Sequence, residues 1–189
     1  MKSAMSVAGV LTLLVFAGDS ILAQQDKKEA LFKWVNAFPK GKFPGLRHGT
    51  FHSDSNKVDV GYCIYLPPGY DDPSSKEQSY PVVYWLHGGR PGGETKVISL
   101  TPHFDSAIKK GIVPPMIYVF PNGGVVSHYD YPKLKSLGET AFINELIPLI
   151  DKNYRTIAGR EGRALEGFSQ GGRGTARYMF KYPELFCSA

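Results

Sequence analysis

Residues 80–86 (Tyr-Pro-Val-Val-Tyr-Trp-Leu) are almost continuously apolar. A strand apolar along its whole length is buried on both faces, as in a parallel sheet with helices on either side. This run passes straight into a glycine-rich loop, His87-Gly88-Gly89-Arg90-Pro91-Gly92-Gly93. A second apolar strand, 116–120, ends at Pro121-Asn122-Gly123-Gly124, and a third short one, 163–166, ends at Gly167. Between them the spacing predicts helices. One covers 102–110 and is closed by Gly111; a second covers 139–154, with Phe142, Ile143, Leu146, Ile147 and Ile150 on its apolar side. Pro148 lies inside that pattern and should kink or shorten the helix. A last helix covers 173–181. Strands alternating with helices from residue 80 onward predict an α/β fold, a doubly wound and mostly parallel sheet.

Upstream of residue 80 the pattern changes. Residues 57–66 alternate, with Val58, Val60, Tyr62, Ile64 and Leu66 on one face, and 67–73 (Pro-Pro-Gly-Tyr-Asp-Asp-Pro) form a turn-rich loop. Residues 46–53 also read as a strand. It carries His48 and His52 on one face, expected to meet solvent rather than a metal. Ala30 to Val35 reads as one or two amphipathic turns.

The chain has 189 residues, 42% hydrophobic and 21% charged, enough for one domain with a real core. A net charge of +5 comes from scattered lysines and arginines without a basic run, which argues against nucleic acid as a partner. Lys2, the apolar stretch Val7 to Phe16 and Ser20-Ile21-Leu22-Ala23 form a secretory signal pattern. The expected organisation is a signal peptide at 1–23, a lead-in segment at 24–45 and the N-terminal portion of an α/β domain at 46–189. The protein is then secreted or periplasmic, with no membrane span left after cleavage. The two cysteines, Cys63 and Cys187, sit in apolar surroundings and read as buried free thiols.

The chemistry centres on Gly167-Phe168-Ser169-Gln170-Gly171. It fits G-x-S-x-G in the strand–turn–helix setting where a serine nucleophile stands clear of a sheet. In doubly wound sheets, ligand sites gather at the carboxyl ends of the strands, so the His87-Gly88-Gly89 loop belongs on the same rim. That arrangement suits acyl transfer: Ser169 attacks, and the backbone N–H groups of Gln170 and Gly89 receive the oxyanion. Two plainer readings stand beside it. Ser169 is also a good helix N-cap, and a glycine loop after a strand is also a phosphate cradle. No nucleotide-binding glycine motif is present to favour the cradle.

Further segments carry a family resemblance: the Tyr65-Leu66-Pro67-Pro68-Gly69-Tyr70 ending, Tyr84 to Gly89, Pro121 to Gly124, Glu145 to Asp151 with Tyr154-Arg155, Arg163 to Gly172, and Tyr182 to Phe186. In this order they resemble the esterase D-like branch of the α/β-hydrolases. That branch includes S-formylglutathione hydrolases, feruloyl and acetyl xylan esterases and enterochelin esterases. The resemblance implies a serine esterase with no metal or organic cofactor, acting on a small-molecule or polysaccharide-linked ester. A siderophore trilactone esterase and a non-catalytic hydrolase-fold binding protein are the alternatives. The family orders its triad Ser…Asp/Glu…His. After Ser169 the chain has one acid, Glu184, placed at the end of a helix, and no histidine. The expectation is therefore the N-terminal portion of a hydrolase of about 270 residues, its nucleophile strand left as a sheet edge. His128, on a loop at the same rim, is the remaining candidate base.

Overall fold

The computed structural model describes residues 32–89 and 92–189. The expected signal peptide and the first part of the lead-in segment lie outside the described residues.

Five strands form the main sheet in the order β1-β2-β4-β3-β7. They are β1 (Leu46–Ser53), β2 (Val58–Tyr65), β3 (Val82–Leu86), β4 (Ile117–Pro121) and β7 (Arg163–Gly167). β1 and β2 form an antiparallel hairpin, and β2 runs antiparallel to β4. β4, β3 and β7 are mutually parallel, with Val82 opposite both Ile117 and Arg163. The carboxyl ends of β3, β4 and β7 therefore share one rim.

Both faces of the sheet are covered, which is why its strands are apolar without alternation. Val60, Tyr62, Ile64, Tyr84, Val119 and Leu165 point to one face; Cys63, Tyr65, Val83, Tyr118 and Phe120 point to the other. Helix α1 (Thr101–Lys109) covers the second face with Phe104 and Ile108. It stops where expected: Gly111 takes a φ of +68° and its N–H returns to the Ile108 carbonyl at 2.9 Å. Helices α2 (138–153) and α3 (Gln170–Lys181) cover the first face. There Phe142 stacks on Tyr178 with ring centroids 5.3 Å apart, and Phe186 lies beyond it. Each fully buried large side chain stabilises the fold by about 1.5–3 kcal/mol.

Pro148 does not end α2. The helix passes from an α turn (Gly138–Thr140) through a π segment (Ala141–Leu146) into a second α segment (Ile147–Asn153), with Pro148 in its first turn. A proline there offers no N–H and crowds the carbonyl four residues back; the wider π turn just upstream absorbs both effects.

Three expectations are corrected. Ala30 and Leu31 lie outside the described residues, and 33–36 form no helical turn but a bent strap beside the sheet: Gly61 donates to the Trp34 carbonyl at 2.7 Å. The loop after β4 holds a short ribbon, β5 (Asp130–Tyr131) with β6 (Ser136–Leu137). β7 is the edge strand of the main sheet, as expected, and its outer side carries an isolated parallel bridge from Ser188 to Ala164, with Leu165 N–H on the Ser188 carbonyl at 2.9 Å. That outer position also leaves Cys187 exposed; Cys63 is buried, and both are free. Burial pushes the Cys63 thiol up to about 12, so it behaves as an inert core residue.

Candidate active site

The chain leaves β7 at Gly167, turns at Ser169 and enters α3 at Gln170. Ser169 has φ 57° and ψ −113°, a conformation that side-chain-bearing residues rarely take. Two hydrogen bonds hold the turn: Gly171 N–H to the Phe168 carbonyl at 2.9 Å and Arg173 N–H to the Ser169 carbonyl at 3.1 Å. The flanking glycines are dictated by close approach. A Cβ on Gly167 would strike the Gly171 backbone and lie 2.8 Å from Thr175 Oγ1, while one on Gly171 would overlap the Leu86 carbonyl. The helix can therefore start directly against the ends of β7 and β3. Ser169 is exposed, Phe168 beside it is 73% exposed, and the serine side chain makes no capping bond to its own helix. Ser169 is thus not serving as an N-cap.

Leu86 pairs with Gly167, so the loop after β3 emerges beside the elbow. A Cβ on Gly88 would lie 2.8 Å from the Phe168 carbonyl oxygen and 3.3 Å from Ser169 Cβ. Gly88 accordingly passes directly against the serine, and Gly89 follows with φ +81°. Ser169, Gln170 and the Gly88-Gly89 backbone, 80 residues apart in the chain, are brought together at the carboxyl rim.

The loop after β4 supports this rim from below. Gly123 N–H donates to His87 Nε2 at 3.0 Å, which places the remaining ring proton on Nδ1, facing the Gly88 carbonyl at 3.4 Å. His128 Nε2–H donates to the His87 carbonyl at 2.9 Å, and the two rings pack with centroids 4.5 Å apart. Ser127 Oγ donates to the Gly89 carbonyl. Tyr178 OH, from α3, donates to the His128 carbonyl at 2.9 Å. Space for the His128 ring comes from glycines: a Cβ on Gly123 would meet it at 2.6 Å, and one on Gly174 would approach His128 Cβ at 2.9 Å. Burial holds both imidazoles neutral. His87 is lowered to about 3 by desolvation and by His128, and His128 is lowered to about 4 by desolvation.

These bonds correct the reading of His128 as a candidate base. Its Nε2 is committed to His87, and its ring is wholly buried. Of the other histidines, His48 bonds Glu94 at 3.1 Å, His52 bonds Asp59 at 3.1 Å, and His103 lies exposed on α1. Among the described residues no histidine is hydrogen-bonded to Ser169.

Glu94 was not singled out in the sequence. It is fully buried at the end of the glycine loop, and it accepts from Asn36 N (2.7 Å), Asn36 Nδ2 (2.8 Å), His48 Nε2 (3.1 Å) and Asn122 Nδ2 (3.0 Å). Asn122 Nδ2 also reaches the Trp34 carbonyl at 3.1 Å. One carboxylate thus ties the strap, β1 and the β4 loop to the glycine loop. A cavity of about 320 Å³ lined by Pro44, Arg47, Pro67, Asp71, Asp105 and Lys109 lies at the carboxyl end of β2, which the antiparallel pairing puts on the opposite rim. Beside the elbow, Tyr129 from the β4 loop lies under the guanidinium of Arg177 at 5.1 Å and that of Arg173 at 6.0 Å.

Comparison with known proteins agrees with this architecture. An esterase of Mycobacterium tuberculosis is 34% identical over 150 residues, covering 77% of this chain and 31% of the relative. An endo-1,4-beta-xylanase/feruloyl esterase of Xylanibacter ruminicola is 32% identical over 158 residues, covering 75% and 21%. The chain therefore spans under a third of either relative's length. The solved structure of a ferulic acid esterase superposes with a TM-score of 0.68 at 30% identity, covering 75% of this chain and 57% of that one. An S-formylglutathione hydrolase from Agrobacterium tumefaciens shares the fold, with a TM-score of 0.60 at 19% identity, covering 78% and 57%. Among the described residues no helix is long and apolar enough to cross a membrane. The profile of the family described as putative esterase matches residues 53–189, and the chain belongs to that family, on the α/β-hydrolase fold.

Proposed function

We propose that the protein is an exported serine esterase that cleaves carboxylic esters through an acyl-enzyme on Ser169. Ser169 Oγ attacks the ester carbonyl carbon and loses its proton to a base. The carbonyl oxygen becomes an oxyanion held by the N–H groups of Gln170 and Gly89, and collapse expels the alcohol. Water then releases the acid. The amino end of α3 adds its partial positive charge beneath the oxyanion. The proposal assigns the nucleophile and the oxyanion donors and assigns no base.

The observation that carries it is the Ser169 backbone: strained, exposed, not spent on capping, and touched by Gly88 across the rim. Local strain of this kind costs about 1–3 kcal/mol and concentrates at functional positions. Acyl or feruloyl groups on a polysaccharide are the proposed substrate class, supported by the xylanase/feruloyl esterase relative and by the ferulic acid esterase structure at 30% identity. Export is supported by the signal pattern in residues 1–23.

The test is acylation with p-nitrophenyl acetate and with a feruloyl ester, followed by mass spectrometry of the digested chain. One acyl group on the peptide containing Ser169, missing from Ser169→Ala, is the expected result. Equal labelling of the two proteins, or none on that peptide, overturns the proposal.

A further inference from the structure

We infer that Ser127 is a positioning residue for this chemistry: its hydroxyl anchors the Gly88-Gly89 loop so that the Gly89 N–H keeps the direction an oxyanion needs. The inference rests on the reading of Ser169 as the nucleophile.

An oxyanion donor is effective only when its direction is set before the charge forms. Two successive glycines are poorly suited to set it, since glycine has the widest backbone freedom and loses the most entropy on being fixed. The order must come from outside the loop. In a planar trans peptide the Gly89 N–H points opposite the Gly88 carbonyl, so its direction is fixed when the peptides on either side, which bear the His87 and Gly89 carbonyls, are both held. Three consecutive carbonyls are held. His87 O receives His128 Nε2–H at 2.9 Å, Gly88 O faces His87 Nδ1–H at 3.4 Å, and Gly89 O receives the Ser127 hydroxyl. The middle contact is long for a hydrogen bond and comes from the adjacent residue's own ring, so it restrains the loop weakly. The anchor beyond the glycine pair is Ser127.

The backbone at Ser127 supports a dedicated hydroxyl. Ser127 is fully buried with φ 53°, a left-handed conformation that glycine takes without strain. Its backbone is already tied down, N–H to the Gly124 carbonyl at 3.1 Å. The side chain is not needed for the turn, and its partner is the peptide of the proposed oxyanion loop. The next residue, His128, also has positive φ, 67°, and holds the first carbonyl of the series. The β4 loop thus presents two strained residues side by side, each with a donor aimed at the loop after β3.

The test compares the full chain with Ser127→Gly and Ser127→Ala. Glycine suits the left-handed backbone, so Ser127→Gly removes the hydroxyl while easing the turn, and its thermal midpoint should match that of the parent. The amide order parameter of Gly89, from ¹⁵N relaxation, should be about 0.85 in the parent and below about 0.6 in both variants. The maximal rate of Ser169 acetylation by p-nitrophenyl acetate should fall about tenfold to a hundredfold, with the half-saturating concentration unchanged. A Gly89 amide that is already mobile in the parent overturns the inference. So does one that stays rigid in a folded variant, or a variant whose acetylation rate is unchanged. Failure of the parent to acetylate at Ser169 instead removes the nucleophile reading, and the Gly89 order parameter still decides whether Ser127 positions the loop.

Discussion

His128 Nε2 lies 2.9 Å from the carbonyl oxygen of His87, and the two imidazoles pack at a tilt of 48° beneath the glycine loop, both uncharged. An added proton would place a buried charge on either ring, and at His128 Nδ1 it would find no acceptor. Protonating His87 on Nε2 would set it against the Gly123 N–H, and protonating His128 would bury a cation beside a second ring, with Lys96 adding to the repulsion at His87.

Acid should therefore destabilise the fold from above the usual carboxylate range. The two imidazoles titrate near 6.5 when unfolded, but at about 3 and about 4 when folded. Below pH 6.5 the unfolded chain binds more protons, so stability is full above that pH and falls as pH drops through it, levelling only near the folded values. Each buried histidine contributes a slope of about 1.4 kcal/mol per pH unit at most. Urea midpoints measured between pH 7 and pH 5 should fall steadily. In His128→Phe, which removes one titrating ring, the slope should be roughly halved; an unchanged slope would refute the assignment.

Neighbouring glycines of the elbow should respond in opposite directions to alanine. In Gly171→Ala the new methyl has nowhere to go, because the Leu86 carbonyl occupies its position and backbone cannot rotate away. A loss of about 3 kcal/mol or more is expected, with α3 pushed off the sheet. At Gly172 the nearest atom to an added Cβ is the Gly167 carbonyl oxygen at 3.5 Å, an ordinary contact. Gly172→Ala should stabilise by about 0.5–1 kcal/mol through helix propensity. Chemical denaturation of the two variants distinguishes them directly.

Much of this architecture is visible in the chain, for physical reasons that also mark where visibility ends. Residues 80–86, 116–120 and 142–150 announce themselves because burial on a sheet or along a helix face repeats at a fixed period. Gly167, Ser169 and Gly171 are legible because a tight turn restricts residue type locally. Glu94 and Ser127 are not. Each is a buried polar residue whose importance lies in partners far along the chain, Asn36 and His48 for one and Gly89 for the other. The only local sign at Ser127 is a short polar residue after Gly123-Gly124. His128 was misjudged for the same reason: its position on the rim loop is readable, but the Gly123 and Gly174 gaps that draw its ring inward are not.

Glu94 should matter out of proportion to its distance from the elbow. Removing the side chain in Glu94→Ala takes the acceptor from the Asn36 N–H, while Asn36 Nδ2 and Asn122 Nδ2 keep the Lys33 and Trp34 carbonyls, a cost of about 1–3 kcal/mol if water does not enter. In Glu94→Gln one oxygen becomes a donor and faces either Asn36 Nδ2 with Asn122 Nδ2, or the Asn36 N–H with His48 Nε2, so the isosteric change should not restore stability. Hydrogen exchange locates the effect. The Asn36 amide, which donates to Glu94, and the Gly61 amide, which donates to the strap at Trp34, should lose protection before the β3 amides do. Equal loss of protection across the sheet would count against a local clamp.

The elbow makes a last, more exacting demand, because strain and function should separate at a single atom. Ser169 holds φ 57° and ψ −113° with a Cβ present, and a non-glycine residue there costs about 1–3 kcal/mol. Ser169→Ala keeps the Cβ, so it keeps the strain, and its stability should lie within about 0.5 kcal/mol of the parent, as expected for an exposed side chain with no bond to lose. Ser169→Gly removes the Cβ. It should raise stability by about 1 kcal/mol, even though the unfolded glycine gains backbone freedom that works the other way. Both variants should lose acylation by p-nitrophenyl acetate completely. The pair therefore divides one residue into a backbone contribution, read by urea midpoint, and a hydroxyl contribution, read by the covalent label. If Ser169→Gly were no more stable than Ser169→Ala, the elbow would not be strained, and the case for a poised nucleophile would rest on the Gly88 contact alone.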